Sequence, residues 1–137
     1  MKIDDYYSTL IDDDSNYQYF QTITSNYYAN TRFEMKIDES LDELIYLEIN
    51  WSGRGRTGGS PTAGYTVFVK NFTSDSWVQL VSYSGTEKGS HMFNYSSDFQ
   101  DLVNSSGYVH VLARSYSQAA SGGPESQRMV SIDTDYI

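Results

Sequence analysis

The sequence predicts an all-β protein: an antiparallel β-sandwich or jelly roll of about eight or nine strands with one short helical crossover. Three observations predict it. Apolar and polar residues alternate along most of the chain, whereas the three-to-four spacing of a helical stripe is almost absent. The alternating runs are short, rich in aromatic residues, and separated by clusters of Gly, Ser, Asn and Asp. The chain has 137 residues, 15% of them aromatic and only 2 of them Pro, which is enough for one sizeable core and too aromatic for a disordered segment.

In chain order, Tyr17 to Thr24 reads as the first strand. Phe33, Met35 and Ile37 then alternate with Glu34 and Lys36, one face apolar and one polar. Leu44 to Trp51 sets Ile45, Leu47, Ile49 and Trp51 against Tyr46, Glu48 and Asn50. From Gly53 to Gly64 the glycine-rich stretch reads as a long mobile loop between strands. Tyr65 to Phe72 and Trp77 to Tyr83 flank the turn formers Asn71, Thr73, Ser74 and Asp75, so they pair as a hairpin, with Trp77 and Val81 expected on one face. His91 to Tyr95 follows. Ser97 to Asn104 is the helical crossover, pinned by Phe99, Leu102 and Val103. Tyr108 to Tyr116 and Arg128 to Ile137 complete the set. No repeat or Pro-rich linker divides residues 1–137, so they read as a single module, expected to be part of a larger extracellular protein and monomeric in isolation.

Charge and composition exclude several function classes. Nine Lys and Arg stand against 18 Asp and Glu, a formal charge of −9, which repels phosphate backbones and argues against nucleic acid as a partner. No run approaches the roughly 18 apolar residues of a membrane span, so no membrane insertion is expected. Zero Cys removes disulfides, thiolate zinc sites and cysteine nucleophiles together.

Catalysis finds no support either. Gly53 to Ser60 misses a phosphate-binding loop because Gly59 stands where that motif needs Lys, and Pro61 with a strand follows instead of a helix. His91 and His110 are too few for a zinc site, and no G-x-S-x-G elbow is present. The carboxylate pairs Asp38 with Glu39 and Asp42 with Glu43 have no apolar setting to raise a pKa. The expectation is a protein that is not an enzyme.

Metal binding is a different matter. Asp12, Asp14 and Asn16 begin like a calcium loop, but Tyr17 and Ile23 occupy the positions that need Gly and Glu. Calcium also binds irregular oxygen cages, and pairing of first and last strands would bring Asp12 and Asp14 near Asp133 and Asp135. These four are the expected ligands of a structural Ca²⁺.

The strongest functional signal is aromatic. Tyr6, Tyr7, Tyr17, Tyr19, Tyr27 and Tyr28 crowd the first thirty residues among Asn, Ser, Thr and Gln. Consecutive residues of a strand face opposite ways, so one of Tyr27 and Tyr28 points outward, where a ring can stack on a sugar face. Arg54 and Arg56, placed together in an acidic chain, can grip carboxylates or sugar hydroxyls. Tyr27, Tyr28, Arg54, Arg56 and Tyr116 are therefore the expected ligand-binding residues. Four N-x-S/T sequons, at Asn50, Asn71, Asn94 and Asn104, point to an extracellular or cell-surface location.

Four segments carry a family resemblance: Leu44 to Gly53 (LIYLEINWSG), Thr66 to Leu80 (TVFVKNFTSDSWVQL), Phe99 to Val111 (FQDLVNSSGYVHV) and Ser131 to Tyr136 (SIDTDY). From about Phe33 onward the chain resembles a β-sandwich module that recurs in secreted and surface proteins of archaea and bacteria and is similar to jelly-roll carbohydrate-binding modules. The resemblance implies a non-catalytic, extracellular module that targets a larger protein to polysaccharide or other glycans. A structural spacer or protein-adhesion domain in a surface array is the alternative.

Overall fold

The computed structural model describes residues 18–136, with side chains from 20 to 134. Eight strands are present among them: β1 (Gln18–Thr22), β2 (Asn30–Lys36), β3 (Leu47–Thr57), β4 (Gly64–Asn71), β5 (Ser76–Ser84), β6 (Gly89–Tyr95), β7 (Tyr108–Ser115) and β8 (Val130–Tyr136). A 3₁₀ turn, Phe99–Leu102, and a single-turn helix α1, Glu125–Arg128, interrupt them.

The strands form two four-stranded antiparallel sheets, ordered β1-β8-β3-β6 and β2-β7-β4-β5. Pairing is nested: β1 with β8, β2 with β7, β3 with β6 and β4 with β5. That is one long hairpin rolled up so that its two halves face each other, the jelly roll expected from the sequence. The expected pairing of first and last strands is present, with Phe20 opposite Ile132.

The space between the sheets is filled by the inward half of each alternation. Phe33, Val67, Val69, Val109, Val111, Ala113, Val130 and Ile132 are buried there. Trp51 is the largest fully buried side chain. Its ring lies 4.7 Å from that of Tyr65, and its Nε1–H donates to Thr134 Oγ1 at 3.1 Å. The Tyr65 hydroxyl reaches His91 Nε2 at 2.7 Å, so the polar tips of this aromatic cluster satisfy one another inside the core.

Burial disfavours the charged form of His91 and pushes its pKa below the ordinary value. The same holds for His110, where burial acts first and the Arg32 charge second. Between these lowered values and about 6.5, the unfolded chain binds more protons than the folded one, so stability rises with pH across that window. It is complete above about 6.5 and is lost as pH falls towards the folded-state values. Urea midpoints of the wild type should therefore decline from pH 7 to pH 5.5, and the double variant H91Q/H110Q should flatten that slope; an unchanged slope overturns the assignment.

Three local expectations are corrected. Ile45 does not face the core but is 87% exposed, because β3 begins only at Leu47. The mobile loop from Gly53 to Gly64 shrinks to residues 58–63, since β3 continues to Thr57 beside β8. Glycine is required there by packing rather than flexibility: a Cβ on Gly55 would lie 1.7 Å from the Gly64 carbonyl oxygen where β3 crosses β4. A register shift between Ser52 and Gly53 also breaks the alternation by which sequence reasoning follows a strand. A second shift, between Val67 and Phe68, leaves Leu80 as an extra residue of β5. Trp77 opposite Lys70 consequently faces outward, while Val81 opposite Val67 faces the core.

Candidate functional site

The five expected ligand-binding residues divide between two surfaces. Arg54 and Arg56 stand on the outer face of the β1-β8-β3-β6 sheet, where register sets Arg54 opposite Asp133. Arg54 Nε lies 3.3 Å and Arg56 Nη2 3.0 Å from Asp133 Oδ2. Asp133 is only 1% exposed, against 32% and 49% for the two arginine side chains. The pair of guanidiniums thus supplies the counter-charge that a buried carboxylate needs.

The same face continues towards β6 as a polar network. The Tyr46 hydroxyl bonds Glu48 and, at 3.1 Å, Asn94 Oδ1, while Asn50 Nδ2 donates to Glu48 Oε1 at 2.6 Å. The Tyr46 and Asn50 donors hold the Glu48 carboxyl below the usual carboxylate range, the opposite of what a general acid needs.

Of the four expected calcium ligands, Asp12 and Asp14 lie outside the described residues, and Asp135 is described only as backbone of β8. Asp133 is the member with a described side chain; its Oδ2 is held by the arginines and its buried Oδ1 has no hydrogen-bond partner. Among the described residues no three His, Cys, Asp or Glu converge as a metal site.

Tyr27, Tyr28 and Tyr116 come together at one end of the sandwich. The loop after β1 and the loop after β7 are zipped by backbone bonds: Asn26 N–H to Ala119 C=O at 3.1 Å, Ala119 N–H to Tyr27 C=O at 2.9 Å, and Ser115 N–H to Ala29 C=O at 2.8 Å. Tyr27 is 64% and Tyr116 41% exposed. Tyr28 is half-buried, because its ring lies against a guanidinium.

That guanidinium belongs to Arg114, which sequence reasoning missed. Its Cζ sits 4.0 Å from the centroid of Tyr28 and 5.0 Å from that of Phe68. Alternation along β7 puts Tyr108, His110, Leu112 and Arg114 outward, opposite the buried Val109, Val111 and Ala113. The whole outer face of the β2-β7-β4-β5 sheet repeats the theme of a cation on a ring. Lys70 Nζ lies 5.8 Å from the Trp77 centroid, and Lys36 Nζ 4.9 Å from that of Tyr108. Phe72 meets His110 edge-on at 4.9 Å. Arg32 Nη2 donates to His110 Nδ1 at 2.7 Å, which assigns the neutral ring's proton to Nε2.

This face therefore carries Arg32, Lys36, Lys70 and Arg114 on a chain of net charge −9. The opposing carboxylates are Glu34, 2.7 Å from Arg32, and Asp75 in the β4–β5 turn, 2.5 Å from Lys70. The signal available in the sequence was parity: Arg32, Lys36, Lys70 and Arg114 all fall on the polar phase of their strands, but only register places them on one sheet face.

No helix among the described residues is long and apolar enough to cross a membrane. A family model described as "Uncharacterized protein, C-terminal domain" matches residues 2–137. No curated protein and no solved structure gives a significant match.

Proposed function

The chain belongs to the AF_1625_C family, and on that premise we propose that it is a non-catalytic module that binds glycans at the outside of a cell. The observation that carries this reading is the row of half-buried rings and fixed cations on the β2-β7-β4-β5 face, bordered by the exposed Tyr27 and Tyr116. Flat rings on a flat sheet fit the faces of sugar rings, and a flanking amide such as Asn30, opposite Arg114, fits their rims. The sequons support the location, with Asn94 exposed.

The test is affinity electrophoresis through neutral and acidic polysaccharides, preceded by a glycan array. Retention of the wild type is expected. Tyr27→Ala and Tyr116→Ala should each weaken it about two- to tenfold, the worth of one stacked ring. Uniform absence of retention sinks the reading.

One observation favours the spacer or adhesion reading. Edge strand β5 runs nine residues, Ser76–Ser84, without a charged side chain, whereas edge strand β2 carries Arg32, Glu34 and Lys36. Uncharged edges invite strand pairing with a neighbour. Concentration-dependent association in sedimentation, together with no retention on any glycan, would select that reading.

A further inference from the structure

We propose that Arg114 is a clamp for carboxylates, and that the ligand of the β2-β7-β4-β5 face is an acidic, uronate-bearing polysaccharide. This rests on the glycan reading above and narrows it.

Arg114 differs from the other arginines of the two sheets. Arg54 and Arg56 share Asp133, and Arg32 has Glu34 and His110. Among the described residues Arg114 has no carboxylate partner, and its buried Nε has no hydrogen-bond partner. What holds it is cation–π contact: its Cζ lies over the rings of Tyr28 and Phe68 at 4.0 and 5.0 Å from their centroids. A guanidinium held over two rings and without a carboxylate partner among the described residues is organised to bind a carboxylate through its outer N–H groups.

The surroundings select the carrier of that carboxylate. Cross-strand neighbours of Arg114 are Asn30 on β2, an amide, and Thr66 on β4, whose buried hydroxyl bonds Ser82 at 3.0 Å, so neither adds a charge. Tyr27 and Tyr116 stand exposed on the loops that close this end. Further along the face, Lys70 and Lys36 lie on Trp77 and Tyr108, so the cation-on-ring unit repeats along the sheet. A row of cations over flat rings, in which Asp75 and Glu34 offset Lys70 and Arg32 but no carboxylate among the described residues offsets Arg114, matches a polymer that repeats negative charge and a flat sugar face. The rest of the chain is strongly acidic, so the attraction is local and is weakened by salt.

The experiment measures retardation in gels containing polygalacturonate, the same polymer methyl-esterified, a neutral β-glucan, or poly-glutamate. Polygalacturonate should retard the wild type, esterification should abolish most of that, and added salt should weaken it. Arg114→Gln should reduce affinity about tenfold or more, the worth of a charge-assisted pair of hydrogen bonds. Arg114→Lys, which keeps the charge but not the fork, should lose several-fold. Lys88→Gln, removing one charge from the β5–β6 turn, should leave retention unchanged, and thermal melts establish that each variant is folded. Equal retention by esterified polymer, or equal loss in K88Q and R114Q, overturns the clamp. Retention by the neutral glucan alone overturns it while the glycan reading stands. Retention by poly-glutamate as strong as by polygalacturonate assigns the face to acidic protein instead, and no retention anywhere removes both proposals.

Discussion

Replacing Trp51 with Ala should lower the unfolding free energy by about 3–5 kcal/mol, the range for deleting a large aromatic side chain from a packed core. The ring is fully buried between the sheets, tilted against Tyr65 and near-parallel to His91, and its Nε1–H is satisfied by Thr134. Its removal therefore empties a large volume and leaves the Thr134 hydroxyl without its donor. The site cannot collapse easily, because β3 at this point is hydrogen-bonded to β6 on one side and, past the bulge, to β8 on the other. Trp51→Phe should recover part of the loss by refilling volume without restoring the Thr134 bond. Urea denaturation measures both, and a cost for W51A below about 1 kcal/mol would show that the sheets repack across the gap.

The second large effect is asymmetric. Removing both cations in the double variant R54M/R56M leaves the Asp133 carboxylate buried and uncompensated, a change worth about 3–5 kcal/mol. Asp133→Asn should cost less, about 1–2 kcal/mol, because the arginines left behind are 32% and 49% exposed and can turn to water. The order of the two variants is thus the reverse of what a simple count of lost charges gives. Equal losses, or a larger loss for D133N, would mean that the carboxylate is hydrated or held by another cation. Melts of the wild type and D133N in chelator and in millimolar-range calcium separate the two: a calcium-dependent midpoint abolished by D133N assigns the ion to Asp133.

Much of the architecture is legible in the amino-acid pattern. The strands Asn30–Lys36, Gly64–Asn71, Ser76–Ser84, Gly89–Tyr95 and Tyr108–Ser115 fall within a few residues of their alternating runs. Alternation reports which half of a strand avoids water, and that is a local property. The 3₁₀ turn at Phe99–Leu102 is likewise visible in the spacing of its buried Phe99 and Leu102. The failures cluster where the period is interrupted. At Ser52/Gly53 and at Val67/Phe68 an irregularity in the ladder reverses the phase, so Trp77 faces outward and the 53–57 segment is strand.

The candidate site shows the same division. Alternation marks one of Tyr27 and Tyr28 as an outward aromatic, and composition marks Arg54 and Arg56 as unusual cations in an acidic chain. It cannot tell that Asp133, 77 positions beyond Arg56, closes on both arginines, nor that Tyr28 and Phe68 meet over Arg114.

What the sequence by itself determined is the kind of layer this chain builds: half-buried strands, polar turns, one aromatic core and an acidic surface. Each follows from the preferences of a residue and its near neighbours for water or for burial. Which charges end neutralised and which remain available was decided only by tertiary structure, because register brings together side chains remote in the chain. Asp133 meets Arg54 and Arg56 through the β3–β8 ladder, and Arg114 is left to aromatic faces through β2, β4 and β7. Electrostatic partnership depends on a few ångströms of separation and on exclusion of water, and neither quantity exists until the two sheets close on each other.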